Sequence, residues 1–142
     1  MKKFQFRFGY FTPNYESTVA FYRDGLGSAI LEEWDRNPDD RGTLLSAASG
    51  ITEVLALPHR QSNHLWDHRT PQGTFMAIEV EDVAALYDRV IEKKLLVQKE
   101  LQNQEWGHQS FCVQEPNRLT LYFFSGIGGG SAQPTLPIKT VF

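Results

Sequence analysis

The residues with the most chemical capacity in this chain are four histidines, one cysteine and a set of large aromatics. His64 and His68, in the stretch HLWDH, lie four apart and would share one helix face. That spacing can hold zinc, but no glutamate follows and no third ligand stands at a recognisable distance. His59 completes a set only if the loop of residues 58–72 folds back. The plainer reading is a surface loop whose histidines are solvated or cap turns. His108 shares its parity with Ser110 and Cys112, while Phe111 and Val113 take the other. If that apolar pair packs under a helix, His108 faces a cleft as a general base, a hydrogen-bonding group or a rim residue. Trp34, Trp66, Trp106, Tyr122 and Phe124 fall on open-face or loop positions and suit a stacking pocket for a flat or amphipathic molecule. The plainer reading of some of them is core. Cys112 has no neighbouring cation in sequence and reads as inert.

The elements that must position these groups follow from periodicity. The stretch from Glu105 to Phe124 alternates, turns at Glu115-Pro116-Asn117, and alternates again, which is a β-hairpin. Pro presets φ in the turn and Asn tolerates the left-handed conformation. Leu119, Leu121 and Phe123 take one face; Arg118, Thr120, Tyr122 and Phe124 take the other. Upstream, Phe4, Phe6, Phe8 and Tyr10 predict a strand with one apolar face. Asn14, or Ser17, caps a helix that Gly25 and Gly27 end. Residues 28–34 read as a strand, 35–41 as a polar turn, and 43–48 with 51–57 as a hairpin. Residues 74–80 predict another strand, Asp82 a helix cap, and Val97 a short strand. The order is strand, helix, three strands, twice. The second copy follows the first after roughly 65 to 68 residues, with Tyr22 matched to Tyr87, Asn14 to Asp82 and Glu53 to Thr120. Two such α+β units predict two curved four-stranded sheets with helices outside and a concave ligand cleft inside.

Composition narrows the function. The 142 residues suit one domain, and a net charge of −3 gives no footing for nucleic acid or a membrane surface. The start, interrupted by Gln5 and Arg7, is not a signal peptide, and no apolar run approaches membrane-spanning length. One cysteine cannot form an internal disulfide and points to a reducing cytoplasm. No Ser-His-Asp arrangement, phosphate loop or nucleotide-binding glycine pattern occurs. Residues 126–142 read as a Gly-rich linker and an apolar tail that docks or stays partly ordered.

With Ala20-Phe21-Tyr22-Arg23-Asp24-Gly25-Leu26-Gly27, Trp106-Gly107 and Glu115-Pro116-Asn117-Arg118-Leu119 in this order, the chain resembles the vicinal oxygen chelate superfamily. That group holds glyoxalases, extradiol dioxygenases and bleomycin-resistance proteins. The resemblance implies one domain over residues 1–125, with modules of about 2–58 and 73–125. It also implies a divalent metal bound by the first and last strands of each module, where this chain has Arg7, Phe75, Glu53 and Thr120. Only Glu53 is a ligand type, so no metal or other cofactor is expected. Arg7 and Glu53 should share one half of the cleft, as a salt bridge in the ion's place or with Arg7 on an anionic ligand group. The expectation is a metal-free protein that binds a small organic ligand, without nucleic-acid or membrane partners, as a cytoplasmic homodimer. Its candidate ligand-binding residues are Arg7, Trp34, Glu53, Trp66, Phe75, Trp106, His108, Thr120 and Tyr122. The alternative is a metal-dependent lyase, transferase or dioxygenase with ligands displaced to Glu53, Glu79, His108 and the histidine loop. An interaction module is a third reading that leaves the aromatics unexplained.

Overall fold

The computed structural model of the protein describes residues 4–48, 50–60 and 68–127. His64, Trp66, Gly128 to Gly130 and the C-terminal tail lie outside them. The first unit runs β1 (Arg7–Thr12), α1 (Tyr15–Ala20) with a π-helical extension (Phe21–Gly25), β2 (Ile30–Asn37), β3 (Asp40–Ala47) and β4 (Gly50–Ala56). The second runs β5 (Phe75–Glu79), α2 (Val83–Glu92), β6 (Leu96–Asn103), β7 (His108–Gln114) and β8 (Thr120–Gly126). The sheets have strand orders β1-β4-β3-β2 and β5-β8-β7-β6. The outer pairs β1–β4 and β5–β8 are parallel and the rest antiparallel. This is the α+β architecture, with its internal duplication, that the periodicity predicts.

Pairs of elements start at Arg7 and Phe75, at Tyr15 and Val83, and at Asp40 and His108. At the step those three pairs share, from which β2/β6 and β4/β8 depart, Tyr22 is matched by Val90 rather than by Tyr87. Tyr22 and Val90 are both fully buried, whereas Tyr87 is half-buried with its ring edge against Phe111. A helix aligns by the face it buries, not by residue identity.

Several local expectations need correction. The strand begins at Arg7, and Phe4 and Phe6 are almost wholly exposed. Their parity is right, but the β4 ladder ends beside them and nothing described covers them. The segment 35–41 is mostly strand: β2 continues to Asn37 and β3 starts at Asp40, leaving Pro38 and Asp39 as the turn. The strand near Val97 spans eight residues. In the β7–β8 turn, the residue with positive φ is Arg118, at 68°, not Asn117. Asn117 is occupied elsewhere, as described below. Asn14 precedes α1 but uses its carbonyl, which accepts the Ser17 and Thr18 hydroxyls, rather than its side chain, as the cap. Asp82 caps α2 as expected, its Oδ1 accepting Ala85 N–H at 3.1 Å.

The helix-side faces of both sheets share one core. Tyr10, Leu45 and Val54 from the first unit join Phe111, Leu121 and Phe123 from the second, each at most 5% exposed. A polar seam runs through this core. Glu115, 2% exposed, accepts the Tyr10 hydroxyl at 2.9 Å, the Asn117 amide side chain at 2.8 Å, Leu119 N–H at 3.0 Å and Asn117 N–H. Asn117 also receives the Thr12 hydroxyl and donates to Thr18 Oγ1 at 2.9 Å. A buried carboxylate is tolerable only when donors surround it, and here they come from β1 and the β7–β8 turn together. A second polar link between the units comes from Arg89 of α2, which donates to the carbonyls of Asp24 and Gly25, both at 2.9 Å. It thus caps the end of the first helix, where the chain turns through Gly27 at φ 81°.

Candidate functional site

With the helix-side faces spent on the shared core, the opposite faces of the two sheets stay open. The nine candidate residues therefore fall into two groups rather than one. On the first sheet, the register sets Gly9 beside Glu53 and Phe11 beside Leu55, and carries on through Gly42 to Trp34. These side chains share one face because strand neighbours alternate. They floor a cavity of about 780 Å³, whose described lining comes from the first unit and the loop after it. Arg7 and Glu53 meet there, Nη1 to Oε1 at 3.6 Å, with Arg7 half exposed and Glu53 largely covered. This is the pairing expected from the sequence.

Trp34 forms the far wall. A Cβ on Gly42 would lie 2.3 Å from Trp34 Cζ2 and 2.9 Å from Leu55 Cδ2, so only glycine lets the indole lie flat on the backbone. Asp40 fixes the ring, accepting the indole N–H at 2.8 Å, and its second oxygen accepts Arg36 at 3.0 Å. Arg36 in turn stands 5.5 Å from the indole centroid. Asp39 accepts both the backbone N–H and Nε of Arg60, at 2.7 and 3.0 Å. These bonds hold its carboxyl below the usual carboxylate range. His68 packs its ring edge on Phe11 at 4.5 Å. Arg36, Asp39, Asp40, Gly42 and Arg60 were not among the sequence candidates. The signal was the charge alternation of Arg36-Asn37-Pro38-Asp39-Asp40, which fits a tight hairpin as readily as a loose turn.

The open face of the second sheet is different. Phe111 and Val113 do pack under α2, and His108, Cys112, Tyr122 and Phe124 face the other way. The His108 ring stacks on Phe124 at 4.2 Å. Its Nδ1 accepts the Trp106 indole N–H at 3.1 Å and lies 3.2 Å from the Tyr122 hydroxyl. An indole N–H only donates, so the neutral imidazole carries its proton on Nε2 in this arrangement. Phe75, 66% exposed, is the register partner of Thr120, whose hydroxyl donates to Gln98 at 2.8 Å. Burial pushes the Cys112 thiol up, against the weaker pull of Lys99. Trp66, the ninth candidate, lies outside the described residues.

The donor set does not fit a divalent metal. The four positions hold a guanidinium 3.6 Å from a lone carboxylate, a phenyl ring and a hydroxyl already bonded to Gln98. Among the described residues no cluster of three His, Cys, Asp or Glu side chains stands close enough to hold an ion. No described helix is long and apolar enough to cross a membrane.

Duplicated strand-helix-three-strand units with open outer faces define a class of ligand-handling scaffolds. Residues 5–123 match the glyoxalase/bleomycin resistance protein/dioxygenase superfamily, and the chain belongs to it. No functionally curated protein matches the sequence. Among solved structures, the chain is similar to TioX from Micromonospora sp. ML1, at 15% identity and a TM-score of 0.69 over 88% of this chain and all of that one. It is also similar to TnmS3 from Streptomyces sp. CB03234, an antibiotic binding protein, at 16% identity and a TM-score of 0.64 over 88% and 97%. Lactoylglutathione lyase from Agrobacterium tumefaciens is similar at 12% identity and a TM-score of 0.65 over 88% and 95%. Identities this low establish the fold alone.

Proposed function

We propose that this protein binds a small organic molecule without a catalytic metal, and does so as a cytoplasmic homodimer. The observation that carries the reading is the Arg7–Glu53 pair at 3.6 Å, on strand positions where the fold would otherwise present metal ligands. A fixed cation there repels a metal and attracts an anionic or polar ligand group. The flat indole of Trp34 and the His108–Phe124 stack supply aromatic surface on the two open faces. Binding of an antibiotic by TnmS3 supports the same use of the scaffold here.

The split of the site supports dimerisation. Each open face is half a cleft, and the exposed Phe75 and Trp106 on the second face favour closure against the first face of another copy. The half-sites of one cleft then come from two chains. The test has three parts: metal analysis after dialysis, mass in solution by light scattering, and a thermal-shift screen of flat organic compounds. The reading expects no stoichiometric Mn, Fe, Ni or Zn, a dimer, and stabilisation by a subset of ligands. Retained stoichiometric metal would overturn it in favour of the metal-dependent enzymes of the superfamily.

A further inference from the structure

We infer that the first open face selects an aromatic hydroxy acid whose carboxylate and hydroxyl sit on neighbouring carbons. This deepens the binding reading above and rests on it. The polar groups around the cavity divide into those already matched and those with capacity left. Both oxygens of Asp39 are taken by Arg60, and those of Asp40 by Trp34 and Arg36. Arg41 turns its guanidinium away, over the Tyr15 ring at 4.4 Å and toward Glu16. Arg7 and Glu53 differ. Their 3.6 Å contact is longer than a hydrogen bond, so the guanidinium keeps its donors and the carboxylate its acceptors.

That leaves a planar fork of donors beside a group that only accepts. The fork matches a carboxylate through two parallel N–H bonds, which a lysine or a neutral donor cannot reproduce. The acceptor calls for a hydroxyl proton next to that carboxylate. The two demands lie side by side, so one ligand must carry both groups on adjacent atoms.

The surface beyond the pair specifies the rest of the ligand. Gly9, between Arg7 and Phe11 on the open face, adds no side chain; a Cβ there would sit 3.5 Å from that of Glu53. The floor then continues over Phe11 and Leu55 to Trp34, held flat on Gly42. A smooth apolar strip leading from a polar pair to an immobilised indole suits a planar ring system with its acid and hydroxyl at one end.

The test is calorimetric titration of the full-length protein with 3-hydroxy-2-naphthoate, 2-naphthoate and 2-naphthol. The hydroxy acid should bind at least about 10-fold tighter than either analogue, since each lost charge-assisted hydrogen bond weakens binding by about that factor or more. Arg7→Gln should abolish the advantage over 2-naphthol, and Glu53→Leu the advantage over 2-naphthoate. Native melting curves for both variants, with 2-naphthol held by Arg7→Gln and 2-naphthoate held by Glu53→Leu as well as by wild-type protein, show that the aromatic strip is intact. If all three compounds bind equally, or Arg7→Gln leaves the ranking unchanged, the inference fails while the small-molecule reading stands. If no flat compound binds wild-type protein here or in the wider screen, both fail.

Discussion

Two glutamates on this chain show how the molecule separates what holds it together from what it offers to a ligand. Glu115 is buried in the seam, accepts four hydrogen bonds, and meets no cation among the described residues. Glu53 lies on the open face beside an arginine, with one long contact and, among the described residues, no closer donor. The formally stronger partner, a guanidinium, belongs to the less committed carboxylate. Saturation by neutral donors makes Glu115 structural, because its partners are buried and two of them, the backbone N–H groups of Asn117 and Leu119, would be orphaned by its loss. Unused capacity makes Glu53 available for another molecule. The polarity of a site therefore says less than whether its hydrogen-bonding capacity is already full.

The sharpest way to break that contrast is Glu115→Leu. It strands the backbone N–H groups of Asn117 and Leu119, leaves the Tyr10 hydroxyl with Tyr22 alone and the Asn117 amide with Thr18 alone, and should cost about 3 kcal/mol or more in urea unfolding. A loss below about 1 kcal/mol would mean that the seam is not what joins the units. Gly42→Ala comes next, at about 1–3 kcal/mol, because the new methyl must push the indole off the sheet. Trp34 emission should shift with it, and an unchanged spectrum would contradict the flat packing. Tyr10→Phe should cost about 1–2 kcal/mol.

Tyr10 also carries a pH dependence. Burial first, then the charges of Tyr22 and Glu115, push its phenol well above the usual tyrosine value. The unfolded chain ionises there near pH 10 while the folded protein keeps its proton. That contribution to stability is complete below about pH 10 and is lost as pH rises further. The urea midpoint should fall between pH 9 and pH 11, and fall less in Tyr10→Phe; equal slopes would remove the assignment. The smallest effect belongs to the open face. Arg7→Gln should change stability by no more than about 0.5 kcal/mol, as for other exposed ion pairs. A larger cost would place Arg7 in the scaffold instead of the site.

The sequence made one side of each sheet readable and the other only partly so. Alternation in residues 111–123 fixed which face of the second hairpin packs under α2, because burying one face imposes a period of two. Arg7 and Glu53 were set together by the family resemblance, which puts both on the metal-side positions of the first unit. Glu115 was legible only as a turn residue, since nothing local says that Tyr10 will reach it. Trp34 was legible as an aromatic, but its wall depends on Gly42 in the next strand and Asp40 across the turn. The single cleft expected from the duplication became two open faces because the units meet through their helix sides, a choice made by contacts distant in sequence.

The seam's partners stand 99 to 105 residues apart along the chain. During synthesis the first unit thus leaves the ribosome with Tyr10, Thr12 and Thr18 facing partners that do not yet exist. Within that unit they have only Tyr22 and Asn14, and the bonds to Glu115 and Asn117 can form only after the last hairpin has emerged. A truncation before Asn117 should leave the first unit without a stable fold of its own, whatever the quality of its sheet.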